Sequence, residues 1–166
     1  MKFTPRWYQS ESVAAFFDYY GTQGGTKNGI ICLPTGSGKT FTMTQIIKET
    51  LSISPSAKIL VVTHVKELIA NNHKSLKKVW PRSPAGIYSA GLRRRQSNMQ
   101  VTFCGIGSVA KRAAEFGHID LILVDECHTI SDKADTLYRG FFRDLAAINE
   151  RLIVTGLTAT PYRLGM

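Results

Sequence analysis

Two runs of bulky residues, Ile59-Leu60-Val61-Val62 and Leu121-Ile122-Leu123-Val124, contain no polar alternation. A strand with one face in water alternates apolar and polar side chains, so an unbroken run of this kind implies a strand covered on both faces. Such strands belong to a parallel sheet with helices on each side. Strand-like runs occupy 30–33, 58–63, 86–88, 100–104, 120–125 and 151–157. Helical spacing of apolar residues predicts helices over 8–20, 40–51, 65–79, 108–116 and 135–149, and 21–29 reads as a polar, glycine-rich loop. The expected fold is α/β: a three-layer, open, mostly parallel sheet with helices on both faces. Ligands of such sheets sit at the carboxyl ends of the strands. At 166 residues this is one domain, large enough for a core without disulfide or zinc staples.

The run Ile30-Ile31-Cys32-Leu33 reads as a short buried strand, and Pro34-Thr35-Gly36-Ser37-Gly38-Lys39-Thr40 follows it directly. Gly36 and Gly38 can take positive φ at little steric cost, turning backbone N–H groups toward an anion. The helix beginning near residue 40 aims orphan N–H groups and a positive dipole end at the same point. Lys39 can reach β- and γ-phosphates, and the Thr40 hydroxyl can ligate Mg²⁺. The strict phosphate-loop pattern places Gly where this chain has Leu33, so the textual match is imperfect while its mechanical parts are present. Far downstream, Asp125 and Glu126 stand where another apolar strand ends. Asp125 is suited to hold Mg²⁺ through water, and Glu126 to orient or deprotonate an attacking water. Cys127 and His128 are adjacent, with no further Cys/His spacing, and make a poor zinc ligand set. The expectation is a protein that binds a nucleoside triphosphate with Mg²⁺ and splits it.

The balance of 21 Lys+Arg against 12 Asp+Glu, formally +9, favours polyanionic partners such as nucleic acid. Arg93-Arg94-Arg95 is the densest basic patch. Cationic contacts to phosphate carry no base information, so binding is expected to be salt-sensitive and largely indifferent to sequence. Cys32, Cys104 and Cys127 lie far apart beside apolar runs, so reduced core thiols and an intracellular location are expected. No apolar run approaches the roughly 18–20 residues of a membrane span.

Taken in order, the motifs resemble those of the first RecA-like motor domain of a superfamily-two helicase of the DEAD/DEAH-box type. Arg6-Trp7-Tyr8-Gln9 resembles the opening motif that recognises adenine; Pro34–Thr40 resembles motif I; Thr63-His64-Val65-Lys66-Glu67-Leu68 resembles motif Ia. Ser89-Ala90-Gly91-Leu92 with Arg93–Arg95, then Gly107-Ser108, resemble the next segments facing nucleic acid. Asp125-Glu126-Cys127-His128 resembles motif II and Leu157-Thr158-Ala159-Thr160-Pro161 motif III. The resemblance implies that Gln9, supported by Arg6, contacts the adenine edge, its amide giving one hydrogen bond and accepting another. It implies that Thr158 and Thr160, with His128 beside the nucleotide, link nucleotide state to the nucleic-acid grip. It also implies contacts to nucleic acid by Thr63, His64, Arg93, Arg94, Arg95, Gly107 and Ser108. Motif Ia departs from the usual Pro-Thr-Arg-Glu-Leu string, and Gly107 stands where many relatives carry Gln.

The resemblance further implies a second motor domain that supplies an arginine finger, and nothing in 161–166 can provide it. The chain is therefore read as the ATP-binding half of an ATP-dependent helicase or translocase, DNA-directed and monomeric, nearly inactive in isolation. The rival reading is a non-enzymatic module, derived from a helicase domain, that binds nucleic acid or a partner. Intact Lys39, Thr40, Asp125 and Glu126 argue against it. A small-molecule NTPase is disfavoured by 158–161 and by the charge.

Overall fold

The computed structural model describes residues 4–22, 28–129 and 132–160. The chain runs α1 (Trp7–Thr22), β1 (Gly29–Cys32), α2 (Lys39–Ile53), β2 (Ile59–Thr63), α3 (Lys66–Val79), β3 (Ala85–Ser89), β4 (Arg94–Arg95) and β5 (Val101–Gly105). It continues through α4 (Ile106–Val109), α5 (Ala113–Phe116), β6 (Leu121–Asp125), α6 (Asp132–Ile148) and β7 (Ile153–Thr158). Short 3₁₀ turns occupy Ala90–Leu92 and Cys127–Thr129. The strands form one sheet in the order β1-β7-β6-β2-β5-β3-β4. Every neighbouring pair is parallel except β3 and β4.

The unbroken apolar runs are β2 and β6, side by side at the middle of the sheet. Successive side chains point to opposite faces, so each run feeds two cores. Ile59, Val61, Leu121 and Leu123 pack with Phe16, Met43, Ile46, Ile69 and Leu76 on the face covered by α1, α2 and α3. Leu60, Val62, Ile122 and Val124 pack with Val109, Phe116, Tyr138, Phe141 and Leu145 on the other. The register Ile59↔Leu121 and Leu60↔Ile122 keeps like-facing residues together. A slip of one residue would exchange the two cores, so register here is tightly specified. The expected α/β architecture is the one observed.

Three local expectations are corrected. The strand expected to be buried at 30–33 is β1, the edge of the sheet, paired with β7 alone. Its residues alternate in burial, with Ile30 63 % exposed. Apolar composition alone does not separate a central strand from an edge strand with one bare face. The same geometry leaves Cys32 exposed, contrary to its reading as a core thiol. Cys104 is buried, and burial pushes its thiol up.

The single helix expected over 108–116 is two separate turns, α4 and α5. Arg112 between them leaves the helical region at φ −132°. Its guanidinium meets Glu115 at 2.7 Å, and the other Glu115 oxygen accepts the Tyr88 hydroxyl at 2.5 Å. Periodicity also gave no sign of β4, whose arginines pair antiparallel with Tyr88 and Ser89. Most of the expected 21–29 loop, and Pro161 with the tail after it, lie outside the described residues.

The two-core arrangement predicts unequal costs at two apolar positions. Phe141, fully buried against Phe116, should lose roughly 3–5 kcal/mol of stability on Phe141→Ala. Ile30→Ala at the bare edge should change it by no more than about 0.5 kcal/mol. Urea denaturation of both variants checks this, and equal losses would contradict it.

Candidate functional site

Because β1, β7 and β6 are neighbours, the loops leaving their carboxyl ends lie side by side at strand spacings of about 4.8 Å. Residues distant in sequence, from 34–40, 125–128 and 158–160, are thereby brought to one edge of the sheet.

The loop after β1 turns on two glycines in the left-handed region, Gly36 at φ 79° and Gly38 at φ 84°. A side chain at Gly38 would be strained and would also strike Gln9 Nε2. Gly38 is the N-cap of α2, and its carbonyl takes the N–H groups of Phe41 and Thr42, so those of Lys39 and Thr40 have no intrahelical carbonyl to bond. Ser37 Oγ is buried and has no hydrogen-bond partner among the described residues. Orphan donors, a buried hydroxyl and a positive helix end on a glycine turn fit a bound phosphate chain.

The opening motif clamps this loop from one side. Ser37 O accepts Gln9 Nε2 at 2.7 Å and the Tyr8 hydroxyl at 3.1 Å. Gln9 Oε1 accepts Arg6 N at 2.9 Å, and Arg6 Nη1 donates to the Tyr8 hydroxyl at 3.0 Å. Both ends of the Gln9 amide therefore already hold protein partners, and its side chain is buried. A cleft of about 430 Å³ opens between Arg6, Tyr8 and residues 33–37, within the size range of small-molecule sites. The larger groove, about 620 Å³, runs along the β1 edge beneath α1. None of its described lining residues is charged, so it offers little to a phosphate.

From the other side, Glu126 reaches across the end of β7 and forms an ion pair with Lys39. Glu126 sits at φ 52°, a conformation that costs a non-glycine residue about 1–3 kcal/mol and often marks a functional turn. Its second oxygen lies 3.4 Å from His128 Nδ1. His128 Nδ1 is also 2.6 Å from Thr158 Oγ1, which touches Thr160 O at 2.7 Å and Thr160 N at 3.1 Å. A hydroxyl has one proton. The Thr160 carbonyl can only accept it, so Thr158 donates there and Nδ1 of His128 carries the hydrogen facing Thr158. Cys127 packs beside Gly156, where an added Cβ would fall 2.7 Å from its sulfur. The acidic turn is thus joined to the 157–160 segment by one hydrogen bond and to β7 just before it by one tight contact.

Asp125 ends β6 and is 4 % exposed. Asn72 Nδ2 donates to its Oδ2 at 2.7 Å, and Glu126 N to its Oδ1 at 3.0 Å. Burial pushes its carboxyl above the ordinary range, opposed by the Asn72 hydrogen bond and by Lys39. The Thr40 hydroxyl, on α2, points at Asn72 Oδ1 at 3.4 Å. A buried carboxylate and a hydroxyl beside a phosphate loop suit a hydrated divalent cation that completes its shell with water and phosphate oxygens. Asn72 was not among the residues singled out from sequence. Its signal was there: it interrupts the apolar stripe of Ile69 and Leu76 on α3.

The segments expected to face nucleic acid leave the adjoining strands β2, β5 and β3. His64, Lys66, Gly107 and Arg93–Arg95 are exposed along this stretch, and Ala90 N donates to Ser108 Oγ at 2.9 Å, tying two of the loops together. Lys66 lies over Gly91, with Cε 3.1 Å from where a Cβ would stand. Arg93 adopts φ 53°. Thr63 departs from expectation: it is buried, and its hydroxyl accepts Val65 N at 3.2 Å. Among the described residues no helix is long and apolar enough to cross a membrane.

A parallel sheet with a phosphate loop, an acidic pair and a Thr-Ala-Thr exit on one edge defines the N-terminal motor domain of a superfamily-two helicase. Residues 2–163 match the family described as type III restriction enzyme, res subunit, and the chain belongs to that family. It is 32 % identical over 157 residues to the DNA 3'-5' translocase XPB2 of Sulfurisphaera tokodaii, covering 94 % of this chain and 30 % of that protein. It is 27 % identical over 144 residues to the ATP-dependent DNA helicase MPH1 of Debaryomyces hansenii, covering 81 % of this chain and 13 % of that one. The helicase domain of Hef from Pyrococcus furiosus superposes with a TM-score of 0.73 at 22 % identity, over 96 % of this chain and 33 % of that one. The chain thus spans a third or less of each of these relatives.

The buried carboxylate yields a pH-dependent prediction. With its folded-state value raised, Asp125 holds a proton where the unfolded chain has released one. Stability therefore falls as pH rises from the ordinary carboxylate range through the folded value, and stays reduced at neutral pH. Asp125→Asn should raise the Tm of the nucleotide-free chain at pH 7, each 1 kcal/mol appearing as roughly 2–4 °C. The gain should shrink below the ordinary carboxylate range. Asn72 can turn its amide over to meet the new one. A lower Tm at pH 7 would contradict the burial argument.

Proposed function

We propose that this chain is the ATP-binding half of an ATP-dependent DNA helicase or translocase, completed by a second motor domain. The observation that carries the reading is the ion pair between Lys39 and Glu126, closed across β7 at the mouth of the glycine loop. It brings the cation suited to a γ-phosphate and the carboxylate suited to an attacking water into contact. The names of the relatives, a DNA translocase and a DNA helicase, support DNA as the polymer.

The roles follow from position. Pro34, which has no N–H, opens the loop, and Thr35, Gly36, Ser37 and Gly38 cradle the phosphates with their backbone N–H groups. Arg6 borders the cleft suited to the base, and Gln9 holds the loop beside it through Ser37 O. Lys39 exchanges Glu126 for a γ-phosphate oxygen. Asp125 and Thr40 hold Mg²⁺, which neutralises charge on the phosphates when bound. Released from Lys39, Glu126 accepts a proton from water. His128 then feels the displacement, since it touches both Glu126 and Thr158, and the Thr158–Thr160 turn passes it to the exit of β7. His64, Arg93, Arg94, Arg95, Gly107 and Ser108 hold the DNA backbone on the adjoining strand ends, Thr63 shaping the corner from beneath. The second motor domain supplies charge stabilisation opposite Glu126, worth roughly 10³–10⁵ in rate in related enzymes.

In the two-domain protein, Glu126→Gln should leave ATP affinity within about twofold and lower DNA-stimulated turnover by about 10²-fold or more. Replacing Arg93, Arg94 and Arg95 by Glu should weaken DNA binding and flatten its dependence on log[salt] by about 0.9 for each phosphate no longer neutralised, with ATP affinity unchanged. Anisotropy titrations and a coupled ATPase assay read both. Turnover that survives Glu126→Gln would overturn the role of that carboxylate.

A further inference from the structure

We propose that Asn72 is a positioning residue for the divalent metal and nucleotide, acting through Asp125 and Thr40. The inference rests on the Mg²⁺ role given above to those two residues. Helix α3 buries Ile69 and Leu76 against the sheet, and Asn72 occupies the same stripe, 3 % exposed. An apolar side chain would serve packing better there, because a buried amide costs roughly 1–3 kcal/mol unless it is hydrogen-bonded. Its side-chain hydrogen bonds are both to the candidate metal residues: Nδ2 to Asp125 Oδ2 at 2.7 Å and Oδ1 from Thr40 Oγ1 at 3.4 Å.

The geometry assigns each end of the amide a task. By donating to Oδ2, Asn72 fixes the rotation of the Asp125 carboxylate, whose Oδ1 is already held by Glu126 N. By accepting from the Thr40 hydroxyl, it turns the lone pairs of that oxygen away from α3 and toward the loop mouth. A cation needs both oxygens presented together, and these two arrive from separate elements, α2 and β6. Asn72, on a third element, is the side chain that bridges them. Positioning residues of this kind are commonly worth about 10–100-fold in metal affinity.

The test is the ratio of ADP affinities measured by calorimetry with Mg²⁺ and with EDTA on the 166-residue chain. Asn72→Leu should lower the Mg²⁺ enhancement about 10-fold or more while the EDTA affinity stays within about twofold. Leu76→Ala, a packing change on the same helix face, should cost stability and leave the ratio intact. If the leucine variant does not fold, Asn72→Ser removes the reach of the amide at small volume and reads the same ratio. An unchanged ratio in the Asn72 variants overturns the inference, as does an equal loss in Mg²⁺ and EDTA. A wild-type chain without Mg²⁺ enhancement overturns the metal reading and this inference together.

Discussion

Asp125 is a carboxylate placed almost wholly out of water at the tip of the central strand β6, and much of the site is arranged around the cost of keeping it there. Burial favours its neutral form, while Asn72, Lys39 and the following backbone N–H favour its charged form. Each of those partners comes from a different part of the fold: α3, the start of α2, and the turn after β6 itself. The sheet order is what makes this possible. With β7 between β1 and β6, the phosphate loop and the acidic turn are far enough apart to admit a ligand and close enough for Lys39 to meet Glu126. Stability is sacrificed locally, at a buried charge and at the left-handed Glu126. The two continuous cores on either face of the sheet offset that sacrifice.

The parallel sheet was legible because Ile59–Val62 and Leu121–Val124 cannot be sided strands, and the glycine loop because Gly36, Gly38 and Lys39 admit few other readings. Edge status was not legible. Ile30 and Cys32 have the composition of a core strand, and only the pairing of β1 with β7 alone reveals that one face is bare. The break between α4 and α5 was hidden because Ile106, Val109, Ala113 and Phe116 keep helical spacing across it. At the break Arg112 leaves the helical region beside a contact with Glu115, and Glu115 is also held by Tyr88 from a distant strand, a long-range partner that local spacing does not show. Asn72 was overlooked for the opposite reason: one polar residue in an apolar stripe looks like noise until its partners are known.

The two halves of the sheet edge have different chemistry. The ends of β1, β7 and β6 carry glycines, one lysine and two carboxylates, suited to a small, highly charged ligand. The ends of β2, β5 and β3 carry exposed His64, Lys66 and Arg93–Arg95, suited to a long anionic backbone. Helix α3 belongs to both, starting at Lys66 against Gly91 and reaching Asp125 through Asn72. His128 and Thr158 make a second connection, from the acidic turn to the exit of β7.

Amide hydrogen exchange with and without Mg²⁺–ADP tests most directly whether the glycine loop, rather than the larger groove beneath α1, is the ligand site. Phosphate oxygens bonded to the loop should slow exchange at the amides of 36–41, with a smaller effect at Asp125 and Glu126. The β1 edge at 29–32 should exchange as before. Protection confined to α1 and β1, with 36–41 unchanged, would contradict the account.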